Sequence, residues 1–410
     1  MNRKTRILIA GCIYGGGNIG DEAILEGLLE YLPKDAIYSV CVEGEGRKYA
    51  ALGLQPYGTD FWQLVRAVRN SDTVLLGGAS LLTDPSGLEY PIGYCSRILR
   101  IAAILGKPCN FIGIGAATLN HEHVRRIAQR FYPLASRFYV RNSHSKNALC
   151  REIGVSPDRV IEICDPAFLL GSKVNLAEGQ ELLKTIGVRR TDGRPLIGVS
   201  VVNEGFEKGR DYKAKIAAIC DLLVERLNAE IIFLYSEIRE GEFFDQAASR
   251  DVKALMKKPW KEVPPNFFDA KTFASILAGM DCILTMRMHV IILSAITGTP
   301  TATIVREEKV TQILADLDDR AAGHISSLDV EGVFAHIQAK LNNRAEHSKH
   351  LLSQVAMVSE RAVTNRPSLG DLLENKQSKN VVYRWFDPLK WFVEKVLAKI
   401  NRILSKKRAA

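Results

Sequence analysis

Short runs of β-branched and apolar residues alternate with helical stretches from the start of the chain to about residue 305, and this alternation limits the fold more than any other feature. Arg6–Ala10, Ile37–Val42, Thr73–Leu76, Cys109–Ile114 and Arg137–Val140 read as strands, with helices near 21–31, 60–70, 92–105 and 122–134 between them. Strands without polar alternation must be covered on both faces, as in a parallel sheet with crossover helices. A second series follows residue 190: Leu196–Val202, Glu230–Leu234, Asp281–Leu284 and Thr301–Val305. The expectation is an α/β protein of two doubly wound, Rossmann-like domains facing across a cleft. Residues 1–170 form the first, 194–375 the second, and the weakly patterned 171–193 the linker. Ligands of such sheets bind at the carboxyl ends of the strands, so chemistry is sought in those loops.

The formal net charge is +9, and it is uneven. Residues 380–410 hold eight basic residues and two acids, leaving +3 on everything else. A nucleic-acid enzyme more often shows basic patches through its folded body, so no nucleic-acid partner is expected. Asp387-Pro388 reads as an N-cap with proline at the first helical position, and Leu389, Phe392, Val393, Val396, Leu397, Ile400, Ile403 and Leu404 then recur on one face. This C-terminal amphipathic helix, with Lys390, Lys395, Lys399, Arg402 and Lys406 mainly elsewhere and aromatics at its entry, suits an anionic membrane surface. Packing on the body or on a second subunit is the alternative, and the oligomeric state stays open. No run of 18 apolar residues suggests a membrane span, and the apolar run that ends at Gly11 is too short for a signal peptide. Eight scattered cysteines without a C-x-x-C pair fit a reducing compartment. The expected location is therefore cytoplasmic, peripherally associated with the inner face of the membrane.

Several loops stand out. Gly15-x-Gly17-x-x-Gly20 satisfies a dinucleotide fingerprint, with Glu43 at the end of the second strand. Asp21 and Glu22 in the first helical turn would repel a pyrophosphate, however, so nicotinamide binding is the weaker reading. Gly77-Gly78 and Gly113-Ile114-Gly115 are close-approach turns first and ligand loops second. Arg141 follows the fifth strand of the series, and Asp165-Pro166 reads as a structural turn before a site. The sharpest cluster is Arg287-Met288-His289 after a strand of the second half, with Arg306 and Lys309 one strand on. Arginine matches carboxylate and phosphate through its planar fork, and histidine carries protons near neutral pH. The remaining histidines form no metal pattern, so no metal is expected.

In this order, the motifs resemble the polysaccharide pyruvyl transferase family over roughly residues 6–320. They are Gly17-Asn18-Ile19-Gly20-Asp21-Glu22-Ala23, Gly77-Gly78-Ala79-Ser80-Leu81-Leu82-Thr83-Asp84, Gly113-Ile114-Gly115, Val140-Arg141-Asn142 with Ser145 and Leu149, Asp165-Pro166-Ala167-Phe168, and Arg287-Met288-His289. The resemblance implies a glycosyltransferase-B-like architecture. It also implies transfer of a pyruvyl group from phosphoenolpyruvate, a co-substrate with no further cofactor, to a sugar or lipid-linked glycan as a cyclic ketal. Carried over, Arg141, Arg287, Met288 through its backbone, and His289 hold phosphoenolpyruvate, with Lys309 as a third cation. Asn18, Asp21, Ser80 and Asp84 face the acceptor, and His289 and Asp21 are the catalytic candidates. Departures are Ala79 in a Gly-Gly-Gly-Ser position, Asn142 where the family often has Asp, and Glu307-Glu308-Lys309-Val310 for Asp-Pro-Lys-Val. A sugar-nucleotide glycosyltransferase, a nicotinamide oxidoreductase and a non-enzymatic polymer-binding member remain as alternatives.

Overall fold

The computed structural model describes residues 3–44, 46–84, 90–188, 193–203, 211–241, 244–266 and 268–375; the amphipathic helix expected over 380–410 lies outside them. The first sheet comprises β1 (Arg6–Tyr14), β2 (Ile37–Val42), β3 (Gln55–Tyr57), β4 (Thr73–Gly77), β5 (Ser80–Leu82), β6 (Cys109–Ala116), β7 (Phe138–Val140) and β8 (Val160–Glu162). It is parallel in the order β3-β2-β1-β4-β6-β7-β8, with β5 also against β6. The second is parallel too, with β9 (Leu196–Ser200), β10 (Glu230–Phe233), β11 (Lys261–Glu262), β12 (Cys282–Thr285), β13 (Thr301–Val305) and β14 (Gly323–His324) in the order β11-β10-β9-β12-β13-β14. The chain reverses direction across each sheet beside β1 and β9, which opens a crevice at the carboxyl ends of β1 and β4, and of β9 and β12.

The halves do not merely face each other. One apolar core joins Ile24 and Leu28 of the helix Ile19–Tyr31 to Ala167 and Phe168 and to Phe273, Ile292 and Ile296 of the second half. The supposed linker contains the helix Leu176–Thr185, which docks on the helix Ala270–Ala278 through Gly179 N–H to Ser275 Oγ at 2.6 Å. Its buried positions include only Gly179 and Leu183, too few to show a period in sequence. Residues 344–375, grouped with the second half in sequence, end on the first. Arg361 Nε donates to Ile163 O at 2.6 Å, and Thr73 Oγ1 and Asn110 Nδ2 donate to Leu372 O at 2.7 and 3.0 Å.

Candidate active site

β1 leads into Gly15–Asn18 and the helix Ile19–Tyr31, whose N-cap is Asn18; its Oδ1 accepts the Gly20 amide at 2.9 Å. Glu22, buried in the first turn, accepts the Gly15 amide and the Tyr49 hydroxyl, both at 2.8 Å, and its other oxygen meets Lys48 Nζ at 3.1 Å. The Gly15 amide, which a pyrophosphate would need, is thereby taken by the protein's own carboxylate. Asp21 turns toward the cleft. Burial is the main reason its pKa is raised, with Glu237 and Glu22 adding and the Cys12 thiol and His289 opposing. In return Cys12, 3% exposed, is pushed well up by burial first and then by Asp21.

The centre of the site is Arg141, 4% exposed at the carboxyl end of β7. Its Nε donates to Gly113 O at 3.1 Å, and its Nη1 stands 2.8 Å from Asp165 Oδ2 and 3.8 Å from Met288 Sδ. Its Nη2 has no hydrogen-bond acceptor among the described residues. A Cβ on Gly115 would lie 3.4 Å from that nitrogen and 3.3 Å from Ser80 Oγ, so the unused donor and the serine hydroxyl flank the same spot. Asp165 Oδ1 accepts the Ala167 amide at 3.0 Å, capping the short helical segment that follows. Burial pushes Asp165 up, but Arg141, His289 and that amide outweigh it and hold the carboxyl below its ordinary value. Gly113 adopts φ +66°, and its missing side chain leaves room for Pro166, whose Cγ would lie 2.5 Å from a Cβ there. The Asp165-Pro166 turn, read first as structural, thus places a carboxylate in the middle of the site.

His289 crosses from the second half. It lies in the first turn of the helix Met288–Ala295, with Nε2 3.7 Å from Asp165 Oδ2, an electrostatic contact too long for a hydrogen bond. Its ring rests on Gly20, where a Cβ would come within 2.2 Å of Nδ1. The imidazole is thus held between the helix start of the first half and Asp165, with Asp21 near enough to feel its charge.

Arg287, the N-cap residue of the same helix, is engaged differently from expectation. Nε donates to Asp245 Oδ1 at 2.9 Å and Nη2 donates to the same oxygen, while Asp245 Oδ2 accepts the Ser236 and Glu237 amides at 3.0 and 3.1 Å. That turn pairs with the glycine loop: Ile19 N–H donates to Ser236 O at 2.8 Å and Ile238 N–H to Gly17 O at 2.9 Å. Arg287 is therefore tied into the seam between the halves, with its side chain 18% exposed. Lys309 Nζ lies 3.1 Å from Glu307, which also pairs with Arg306; desolvation first, then Arg306 and Arg141, lower the lysine's pKa against the pull of Glu307. Asp84 is engaged within the first half, its oxygens accepting the Asn120 and His121 amides at 3.0 and 2.7 Å. The structure thus brings Asn18, Asp21, Arg141, Met288 and His289 together with Ser80 at the edge. Sequence reasoning gave no weight to Asp245 and Cys12, which carry no motif. Among the described residues no group of three or more His, Cys, Asp or Glu could hold a metal ion.

Two parallel α/β domains meeting at their strand ends, with cations and carboxylates converging there, define a glycosyltransferase-B-like architecture. The sequence profile of the polysaccharide pyruvyl transferase family matches residues 18–308, and the chain belongs to that family. The amylovoran biosynthesis protein AmsJ of Erwinia amylovora is 21% identical over 322 residues, 74% of this chain and 73% of that protein. Among solved structures, the putative UDP-N-acetylglucosamine 2-epimerase of Listeria monocytogenes superposes with a TM-score of 0.62 at 13% identity, covering 88% of this chain and 94% of its own. The UDP-GlcNAc 2-epimerase of Neisseria meningitidis gives 0.57 at 11% identity over 88% and 100%. HepE of Anabaena, solved with UDP-glucose, gives 0.55 at 13% identity over 88% and 96%. At these identities the likeness is one of fold.

Proposed function

We propose that the chain transfers a pyruvyl group from phosphoenolpyruvate to a sugar of a cell-surface polysaccharide or its lipid-linked precursor, forming a ketal and releasing phosphate. One observation carries the reading: a nearly buried guanidinium, Arg141, keeps an uncommitted Nη2 at the strand ends where the two halves meet. Leaving such a donor buried without a partner is costly, and an anionic substrate removes the cost. In this reading Arg141, the start of the helix Met288–Ala295 and Lys309 take the carboxylate and phosphate. Arg287 serves from the seam, through whatever part of its fork Asp245 leaves free.

His289, as an imidazolium, gives a proton to the methylene carbon, so that C2 becomes electrophilic. A sugar hydroxyl then bonds to C2 while its proton passes to Asp21. The bond from C2 to the phosphate oxygen breaks with its electron pair on phosphate, and the Asp21 proton leaves with that phosphate. A second hydroxyl closes the ketal and returns a proton to His289. Asn18 and Ser80 orient the acceptor. In the same reading residues 380–410 hold the enzyme on the anionic cytoplasmic face of a membrane; among the described residues no helix is long and apolar enough to cross one.

The test is phosphate release from phosphoenolpyruvate against a panel of sugar acceptors, with Arg141→Gln and His289→Ala compared to wild type. Loss of a charge-assisted contact to the reacting anion is expected to lower the rate about 30- to 1,000-fold. Near-wild-type turnover in both variants removes this site from the reaction, and consumption of a nucleotide sugar in place of phosphoenolpyruvate replaces the reaction class.

A further inference from the structure

Averaged along the chain, the body carries little charge, but the fold gathers cations on one face. The helices Phe61–Asn70, Ile92–Ile104 and Glu122–Phe131 lie side by side on the first sheet. The core beneath them contains first-half residues only, whereas the core on the other face of that sheet is shared with the second half. This layer is therefore turned outward. Its three helices hold seven arginines and one acid, Glu122. Outside them and 380–410 the chain is net −3, the remainder of its +9.

Some of these cations are neutralised within the fold, and others are presented to solvent. Arg125 pairs with Glu122 and Glu152, and Arg126 with Glu122. Arg66, Arg69 and Arg97 are exposed, and no acid lies within ion-pair distance of them among the described residues. Arg100, with Arg97 and Arg130 as neighbours, has its pKa lowered to about 10, by burial first and then by those two charges. On the same layer Trp62 is 76% exposed and Phe61 41%, their rings edge to face at 5.1 Å, and Ile104 is 52% exposed. Crowded guanidiniums repel one another unless anions lie over them, and exposed aromatics gain by entering an apolar boundary. Both needs are met where acidic headgroups border acyl chains.

We propose that this three-helix face docks the first domain on an anionic lipid bilayer. Arg66, Arg69 and Arg97 lie over the headgroups, and Phe61 and Trp62 enter the interface. The contact is separate from the 380–410 segment and does not depend on the reaction assigned to the cleft.

The test uses the full chain with Lys395, Lys399 and Arg402 replaced by glutamine, so that the tail's cations are reduced in every arm. Co-sedimentation is measured with vesicles of phosphatidylcholine alone and with phosphatidylserine added. Arg66→Gln, Arg69→Gln and Arg97→Gln together are expected to lower partitioning on the anionic vesicles about 100-fold, roughly fivefold per charge. Trp62→Ser is expected to weaken it several-fold, including at high salt. In a full chain with Trp385→Phe and Trp391→Phe, brominated lipid is expected to quench part of the emission, and adding Trp62→Phe is expected to abolish that quenching while Trp260 continues to emit. Binding unchanged by the arginine variant, or equal on both vesicle types, overturns the proposal. So does a concentration-dependent dimer that the arginine variant dissolves, which would make a second copy the occupant. Preferential capture of duplex DNA at physiological salt overturns it as well.

Discussion

Gly20→Ala tests the site through a contact that a local view of the helix would miss. Gly20 is the second residue of the helix Ile19–Tyr31, where alanine is ordinarily better by a few tenths to about 1 kcal/mol. The added Cβ, however, would lie 2.2 Å from His289 Nδ1 and 2.7 Å from its Cγ. Ordinary contact needs more than 3 Å, so the imidazole must move by about 1 Å against Asp165 and the packed first turn of its own helix. Overpacking of this kind costs about 1–3 kcal/mol. In a His289→Ala background the clash is gone and the helical preference returns, so Gly20→Ala is expected to be neutral or slightly stabilising there. The coupling is then about 1–3 kcal/mol, within the range for residues in contact. Urea denaturation of the four proteins in the cycle measures it. Displacing the imidazole by about 1 Å should also lower turnover on the order of 100-fold in the Gly20→Ala chain that retains His289. Equal destabilisation by Gly20→Ala in both backgrounds would show that His289 does not rest on this helix.

Three further outcomes follow from the geometry. Asp165→Asn leaves Arg141 buried without its counter-charge and is expected to cost about 3–5 kcal/mol in denaturant melts. Because the folded carboxyl is held below its ordinary value, its contribution is present above the unfolded pKa and disappears as pH falls through the lower folded one, so the gap between wild type and variant should close in acid. Glu26, which accepts the Ala270 amide at 2.9 Å from across the domain seam, has its pKa raised to about 7, by burial first and then by Asp269 and Glu22, with the Ala270 amide and Lys271 opposing. The folded state therefore binds the extra proton, and stability should fall as pH rises from about 4.5 to about 7; Glu26→Gln is expected to flatten that slope, read by melting temperature against pH. Finally, NADH and NADPH should give no saturable fluorescence change, because Glu22 occupies the Gly15 amide; micromolar binding of either would refute that account.

The sequence by itself determined the fold class, the central strands and the strand-end positions of Arg141, Arg287 and His289. Each depends on local properties: an apolar run long enough to be covered on both faces, or a polar residue at its end. Even the reason for doubting a dinucleotide was legible, since two carboxylates in a first helical turn carry their meaning in one dimension. Tertiary structure decided what those side chains meet. Asp165 belongs to the site only because Gly113 makes room for Pro166 and so carries the carboxylate to Arg141. Arg287 looks like a free anion ligand in sequence, but Asp245, 42 residues away, accepts two of its nitrogens. The helix within the supposed linker docks through Ser275, 96 residues on from Gly179. The basic face on the first domain vanishes in any average along the chain, since its arginines lie on three separated helices. Pairings between distant residues leave no periodicity to read, and which partner a buried charge finds is settled only when the packed halves exclude water from it.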